Sequence, residues 1–213
     1  MTLARLDNKN ALTNEMYRVL AEAIEQAGSD RSIRVVLLQA DGDSFTAGND
    51  MGEFAAMAVG KGPSERHVTH FLRALAEATV PIIAAVNGKA VGIGTTLLLH
   101  CDYVLLAQDA QLITPFVNLA LVPEAASSYL LPLRVGHARA FEMFALGEAL
   151  SAQTALALGH RQQGLHDGTI EQRGAARGAA DRRQRSRLGR RCQAHDRRPG
   201  ARVVLPATIS SWR

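Results

Sequence analysis

The apolar run Ile82-Ile-Ala-Ala-Val86 starts directly after Pro81 and stops at the turn pair Asn87-Gly88. The chain then passes through Gly92-Ile-Gly94 into Thr95-Thr-Leu-Leu-Leu-His100. A short continuous apolar run bounded by breakers reads as a buried strand, and the unbroken apolar stretch after the glycines reads as a helix. Gly92 to Gly94 therefore sit where the first N–H groups of a helix lack intrahelical partners and the dipole is positive, a place that stabilises an anion or an oxygen becoming one. A phosphate-binding loop or a plain tight connection reads the same way. The segment lacks the Gly-Lys-Ser/Thr ending of a P-loop, and its glycines do not fit the dinucleotide fingerprint.

A second buried strand, Val35-Val-Leu-Leu-Gln-Ala40, leads through Asp41-Gly-Asp-Ser44 into Phe45-Thr-Ala-Gly-Asn-Asp-Met51. The pattern Phe-x-Ala-Gly-x-Asp-Met, followed about forty residues later by Asn-Gly-x-Ala-x-Gly-x-Gly, closely resembles the enoyl-CoA hydratase/isomerase (crotonase) family. The resemblance runs from Leu3-Ala-Arg-Leu-Asp-Asn-Lys-Asn-Ala-Leu-Thr13 to Leu150-Ser-Ala-Gln-Thr-Ala-Leu-Ala-Leu-Gly159. It includes Cys101-Asp-Tyr-Val104 and Phe116-Val-Asn-Leu-Ala-Leu-Val-Pro-Glu-Ala-Ala-Ser-Ser-Tyr129.

The resemblance implies an α/β fold, a crotonase-like spiral of β-β-α repeats, that binds an acyl-CoA thioester. It implies an oxyanion hole made of two backbone N–H groups, those of Asn49 and Ile93, with Ala47, Gly48 and Gly92 keeping the turns small enough for the thioester to approach. Phe116, Leu119 and Leu121 are the expected acyl-pocket residues. No metal or redox cofactor is implied, coenzyme A being part of the substrate. Members of the family assemble as homotrimers or hexamers, and a cytoplasmic location is expected.

The proton chemistry turns on carboxylates. Family hydratases position a water with two glutamates, whose places here fall at Thr96 and Phe116, neither of which titrates. Glu124, in Val-Pro-Glu-Ala-Ala-Ser-Ser, resembles the Pro-Glu-x-x-Ser-Ser pattern of the Δ3,Δ2-enoyl-CoA isomerase branch, in which one glutamate removes a C2 proton and returns it at C4. One base moving one proton across an allyl system needs a single carboxylate. The pocket expected around Glu124, from Phe116, Val117, Leu119 and Leu121, raises its pKa by desolvation. A glutamate in a first helical turn, placed for the dipole, is the structural alternative. A noncatalytic acyl-CoA binder that retains the oxyanion hole is the functional one.

Other residues carry weaker signals. Asp50 reads as a cap for the turn that follows it. His67 and His70 share a helical face, but no further ligand accompanies them. Cys101 and Cys192 are too few and too far apart for a disulfide framework, and Cys101 reads as core packing. The 213 residues, 47% of them hydrophobic, suit one domain of moderate size. No apolar run reaches the length of a membrane span, and no signal core follows the N-terminus.

The expected path is a helix over 14–27, a strand over 34–40, a loop over 48–63, a helix over 64–79 and a strand over 82–86. Short strands near 103–107 and 111–114 precede helices near 125–133, 137–146 and 151–158. No internal repeat is evident.

The family core is expected over residues 1–159, with its N-terminal strand truncated. From residue 160 to 213 the chain changes character. Of the last 53 residues, 13 are arginine and none is lysine, so the usual C-terminal helical region is expected to be missing or altered and the tail irregular. His160-Arg-Gln-Gln-Gly164 can be written CAT CGT CAA CAA GGT, and reading one base later spells Ile-Val-Asn-Lys-Val, the family continuation. A frameshift at or just before codon 160 is therefore expected, with a compensating shift before Asp167-Gly-Thr-Ile-Glu-Gln172. The competing expectation is a selected basic arm for nucleic acid or an acidic surface, in line with the net charge of +4. It lacks aromatic residues for base stacking until Trp212.

Overall fold

The computed structural model describes residues 1–158 and 163–165. Buried strands and short turns build three consecutive β-β-α repeats. In each, the first strand enters one sheet, the second enters another, and helix follows: β2 (Val36–Ala40) and β3 (Ser44–Thr46), then β4 (Ile82–Val86) and β5 (Lys89–Val91), then β6 (Tyr103–Ala107) and β7 (Gln111–Ile113). The five-stranded sheet has the order β1-β2-β4-β6-β9, with β1 at Thr2–Leu3 and β9 at Gln163–Leu165. The four-stranded sheet runs β3-β5-β7-β8, with β8 at Leu150–Ser151. All pairings are parallel except β7 with β8. Parallel strands covered on both faces need continuous apolar sequence, and all five residues of β4 are buried. This is the expected α/β spiral, and its repeat, not evident in the sequence, lies in the alternation of strands between two sheets.

Helix α1 (Asn14–Ser29) starts because the Thr13 side chain accepts the Met16 N–H at 3.2 Å. It buries Met16, Tyr17, Leu20, Ala21, Ile24 and Ala27, a stripe at helical spacing, and packs on α3 (His67–Glu77). Phe71 of α3 and Tyr17 of α1 meet with ring centroids 5.5 Å apart.

Several expectations are corrected. The stretch 48–63 holds a helix, α2 (Met51–Ala58): Asp50 accepts the N–H groups of Gly52 and Glu53 at 2.9 and 3.1 Å and nucleates it. Beyond the glycine turn, α4 (Ile93–Thr96) lasts one turn before tightening to a 3-10 turn over Leu97–His100. Helix α5 (Ser127–Val135) starts later than expected because Ala125 and Ala126 both have φ of +53°, which no helix interior accepts. Then come α6 (His137–Phe141), which continues as a π turn over Glu142–Leu146, and α7 (Ala152–Ala157). Apart from β9, the arginine-rich tail, the frameshift boundary at 160 and the C-terminal helical region lie outside the described residues. No helix among the described residues is long and apolar enough to cross a membrane.

Candidate active site

The loop after β3 is tied down at nearly every N–H. Ala47 donates to the Lys9 carbonyl at 2.9 Å, Gly48 to Thr46 Oγ1 at 3.1 Å and Asp50 to the Leu12 carbonyl at 2.9 Å. Leu12 in turn donates to the Gly48 carbonyl at 2.7 Å. The N–H of Asn49 alone in 47–50 meets no acceptor among the described residues. At the glycine turn, Gly92 donates to the Ile113 carbonyl at 2.8 Å, and Thr95 and Thr96 both donate to the Gly92 carbonyl at 2.9 and 3.0 Å. As the first helical residue of α4, Ile93 has an N–H with no intrahelical partner.

The two turns touch. Gly48 has φ of +93°, and a Cβ there would stand 3.0 Å from the Val91 carbonyl oxygen. Gly92, with φ of +54° and ψ of −116°, takes a backbone conformation foreign to L side chains. A Cβ on Gly94 would strike Thr46 Cγ2 at 2.4 Å, so α4 sits directly on β3. Glycine is thus required for conformation at Gly92 and for close approach at Gly48 and Gly94.

A cavity of about 280 Å³ opens beside this loop. Its walls include Leu12, Tyr17, Asn49, Phe54, Met57 and Glu124. The Glu124 carboxylate has one oxygen, Oε1, buried without a hydrogen-bond partner, and burial raises its pKa above the ordinary glutamate value. Glu124 lies ahead of α5 rather than in its first turn: the Ser127 N–H donates to the Glu124 carbonyl at 2.9 Å, and the left-handed residues Ala125 and Ala126 come between. The helix-dipole reading of this glutamate is therefore set aside.

The residues expected to form the pocket do not line this cavity. Phe116 is buried but packs on Phe144, with centroids 6.0 Å apart, while Val117, Leu119 and Leu121 are exposed. None of the four lines the cavity. Its apolar wall comes from Phe54, Met57 and Ala58 of α2, Tyr17 of α1, Leu12 just before α1, and Val68 of α3. The cavity thus brings together Asn49 and Glu124. Ala47, Gly48, Gly92 and Ile93 are not among its lining residues: Ala47 is exposed and lines a separate pocket with Lys9 and Val91, and the Ile93 side chain is fully buried. Thr96 and Phe116 are both buried.

Asp50, besides capping α2, accepts from Arg5 at 2.6 Å; that hydrogen bond and the N–H of Glu53 hold its pKa below the usual value. The histidines go separate ways: His70 meets Glu25 at 2.7 Å and His67 lies 3.8 Å from Glu65. Cys101 is buried, and burial pushes its thiol well up.

Tyr17, Phe54 and Met57 were not singled out in the sequence. Phe54, Met57 and Ala58, at helical i, i+3, i+4 spacing, carried a signal for an amphipathic α2. Tyr17 carried none, because an aromatic on a buried helical stripe reads as core.

A family model described as enoyl-CoA hydratase/isomerase matches residues 1–171. The 1,2-epoxyphenylacetyl-CoA isomerase of Escherichia coli (strain K12) is 37% identical, over 80% of this chain and 67% of its own length. Enoyl-CoA delta isomerase 2 of Rattus norvegicus is 34% identical, over 80% of this chain and 44% of its own, so the chain spans under half of that relative. Other relatives are named probable enoyl-CoA hydratases. A crystal structure of an enoyl-CoA hydratase/isomerase from Pseudoalteromonas atlantica T6c superposes with a TM-score of 0.77 at 38% identity, covering 91% of this chain and 82% of that one. With two glycine turns in contact, an unspent N–H beside a cavity and this breadth of similarity, the chain belongs to the enoyl-CoA hydratase/isomerase family.

Proposed function

We propose that the chain is an isomerase of this family, converting a 3-enoyl-CoA to the conjugated 2-enoyl-CoA. The observation that carries the reading is the shared cavity, in which Glu124 has a buried, unpartnered carboxylate oxygen and the Asn49 N–H is unspent. The amides of Asn49 and Ile93 receive the thioester oxygen as it gains enolate character, which lowers the barrier most because the donors are already in place. Glu124 takes the C2 proton, the electrons delocalise onto the thioester oxygen, and the same carboxyl returns the proton at C4 as the double bond moves to C2. Its raised pKa brings it closer to the working range of a base near neutral pH.

Isomerisation is preferred to hydration because Thr96 and Phe116 supply no second titratable group. Relatives carry both isomerase and hydratase names, and enoyl-CoA delta isomerase 2 of Rattus norvegicus is one whose name accords with this choice. Incubation with a 3-enoyl-CoA and, separately, with a 2-enoyl-CoA, followed by chromatography and mass measurement, tests this: an isomerase converts the first to a conjugated product of unchanged mass, whereas a hydratase leaves the first and turns the second into a product heavier by one water. We further propose that the protein works as a homotrimer or hexamer in the cytoplasm. The exposed apolar residues Tyr129, Leu133 and Phe141 on α5 and α6 support a face covered by another copy, which light scattering tests.

A further inference from the structure

We infer that Tyr17 is a positioning residue for the oxyanion hole: its hydroxyl, hydrogen-bonded to Asn49 Oδ1 at the cavity wall, fixes the peptide whose N–H receives the thioester oxygen. This rests on the proposed use of the Asn49 amide and deepens it.

The bracing of the loop leaves a specific gap. The N–H groups of Ala47, Gly48 and Asp50 are held by hydrogen bonds, whereas that of Asn49 must stay free for substrate. The peptide that carries this N–H is held at its other end, where the Gly48 carbonyl accepts from the Leu12 N–H at 2.7 Å, and the Asn49 side chain offers a second handle. Tyr17 supplies the partner.

The placement is rigid. Tyr17 is 3% exposed and stacked on Phe71, with rings tilted by 42°. It also lies in the first turn of α1, which begins two residues after Leu12, the residue that makes the backbone bridge to Asn49. The segment Leu12–Tyr17 thus grips Asn49 twice, through the main chain at Leu12 and through the side chain at Tyr17 in α1. The phenol is suited to remain a donor: burial, then the negative charges of Glu124 and Glu53, hold its pKa well above the ordinary tyrosine value.

The contribution is one of alignment, so it is expected in kcat and not in KM. A donor displaced by about an ångström loses up to about 100-fold in rate. Tyr17→Phe keeps the ring against Phe71 and removes only the hydroxyl, and an unchanged circular dichroism spectrum confirms retention of the fold.

Two readouts decide. The first is turnover of a 3-enoyl-CoA: Tyr17→Phe lowers kcat by about 10-fold to 100-fold with KM unchanged, and the same substitution has no further effect in an Asn49→Ala background, because the hydroxyl acts only through that side chain. The second needs no turnover. A bound 3-oxoacyl-CoA is acidic enough to lose its C2 proton to the solution as pH rises, and an intact oxyanion hole stabilises the resulting enolate, which absorbs in the near ultraviolet; Tyr17→Phe therefore weakens the enolate band at a given alkaline pH, while Glu124→Gln, which leaves both N–H donors in place, still shows it. An equal band and equal kcat in wild type and Tyr17→Phe overturn the positioning role and leave the Glu124 reading standing. A Tyr17→Phe effect that persists in the Asn49→Ala background overturns it too. Absence of the enolate band from wild type overturns the oxyanion hole itself and this inference with it.

Discussion

Replacing Gly92 with alanine separates backbone geometry from packing at the turn that opens α4. The added methyl meets nothing within 4 Å, so no clash contributes. Only φ of +54° with ψ of −116° opposes it. A non-glycine residue held in such a region costs about 1–3 kcal/mol. At about 2–4 °C per kcal/mol for a chain of this size, the melting temperature falls by about 2–12 °C if the turn keeps its shape. If the turn relaxes to an allowed φ instead, the Ile93 N–H swings away from the thioester oxygen, and kcat drops toward the 100-fold to 1000-fold loss typical of a deleted oxyanion donor. Scanning calorimetry and steady-state turnover on the same preparation read both. Gly136→Ala is the control: φ is +80°, the methyl again has open space, and the position lies between α5 and α6, off the cavity. It is expected to lower the melting temperature without touching kcat. Unchanged melting temperature and kcat in Gly92→Ala together refute the requirement for this backbone conformation.

Three further outcomes follow from the same geometry. Glu124 has a raised folded-state pKa, so its burial favours the protonated form; the associated stability is present at acid pH and lost as pH rises through the folded pKa. Glu124→Gln is therefore more stable than wild type near neutrality, with the gap closing below about pH 4.3, the ordinary glutamate value, as pH-dependent melting shows. Asp50 behaves oppositely: its depressed pKa contributes stability above the ordinary carboxylate value and loses it as pH falls through the folded one. Asp50→Ala costs about 1 kcal/mol or more at pH 7 through loss of the cap, and in urea titrations that deficit shrinks at low pH. Asn10→Ala is the most damaging of the three. Asn10 is 1% exposed, donates to the Asp41 and Ser44 carbonyls at 2.8 Å each and accepts from the Arg5 N–H at 2.7 Å, and leaving those groups unmet costs about 1–3 kcal/mol apiece, measured by urea unfolding.

The long buried strands were legible in sequence because Ile82–Val86 and Val36–Ala40 carry apolar runs ended by breakers, and α1 because Leu20, Ala23, Ile24 and Ala27 form an apolar stripe at helical spacing. The three-residue strands β3, β5 and β7 are set by the partner backbone more than by their own composition. Of these only β7 was foreseen. Helix α2 was hidden by the glycines and proline that follow it, although Asp50 was recognised as a cap. The start of α5 was missed because nothing in Ala125-Ala126 announces a left-handed backbone. At the site, the two glycine turns and Glu124 were visible as motifs. The cavity wall was not, since it depends on which face α2 turns inward and on Tyr17 reaching Asn49 across the fold.

The central claim is that Glu124 moves the proton in a cavity that stabilises an enolate. The most direct test is conversion of a 3-enoyl-CoA by wild type and Glu124→Gln, followed by the absorbance of the conjugated thioester. The account predicts turnover in wild type, on a rate that falls as pH drops through the raised Glu124 pKa, and loss of that turnover in a folded Glu124→Gln protein. Turnover retained in Glu124→Gln contradicts it.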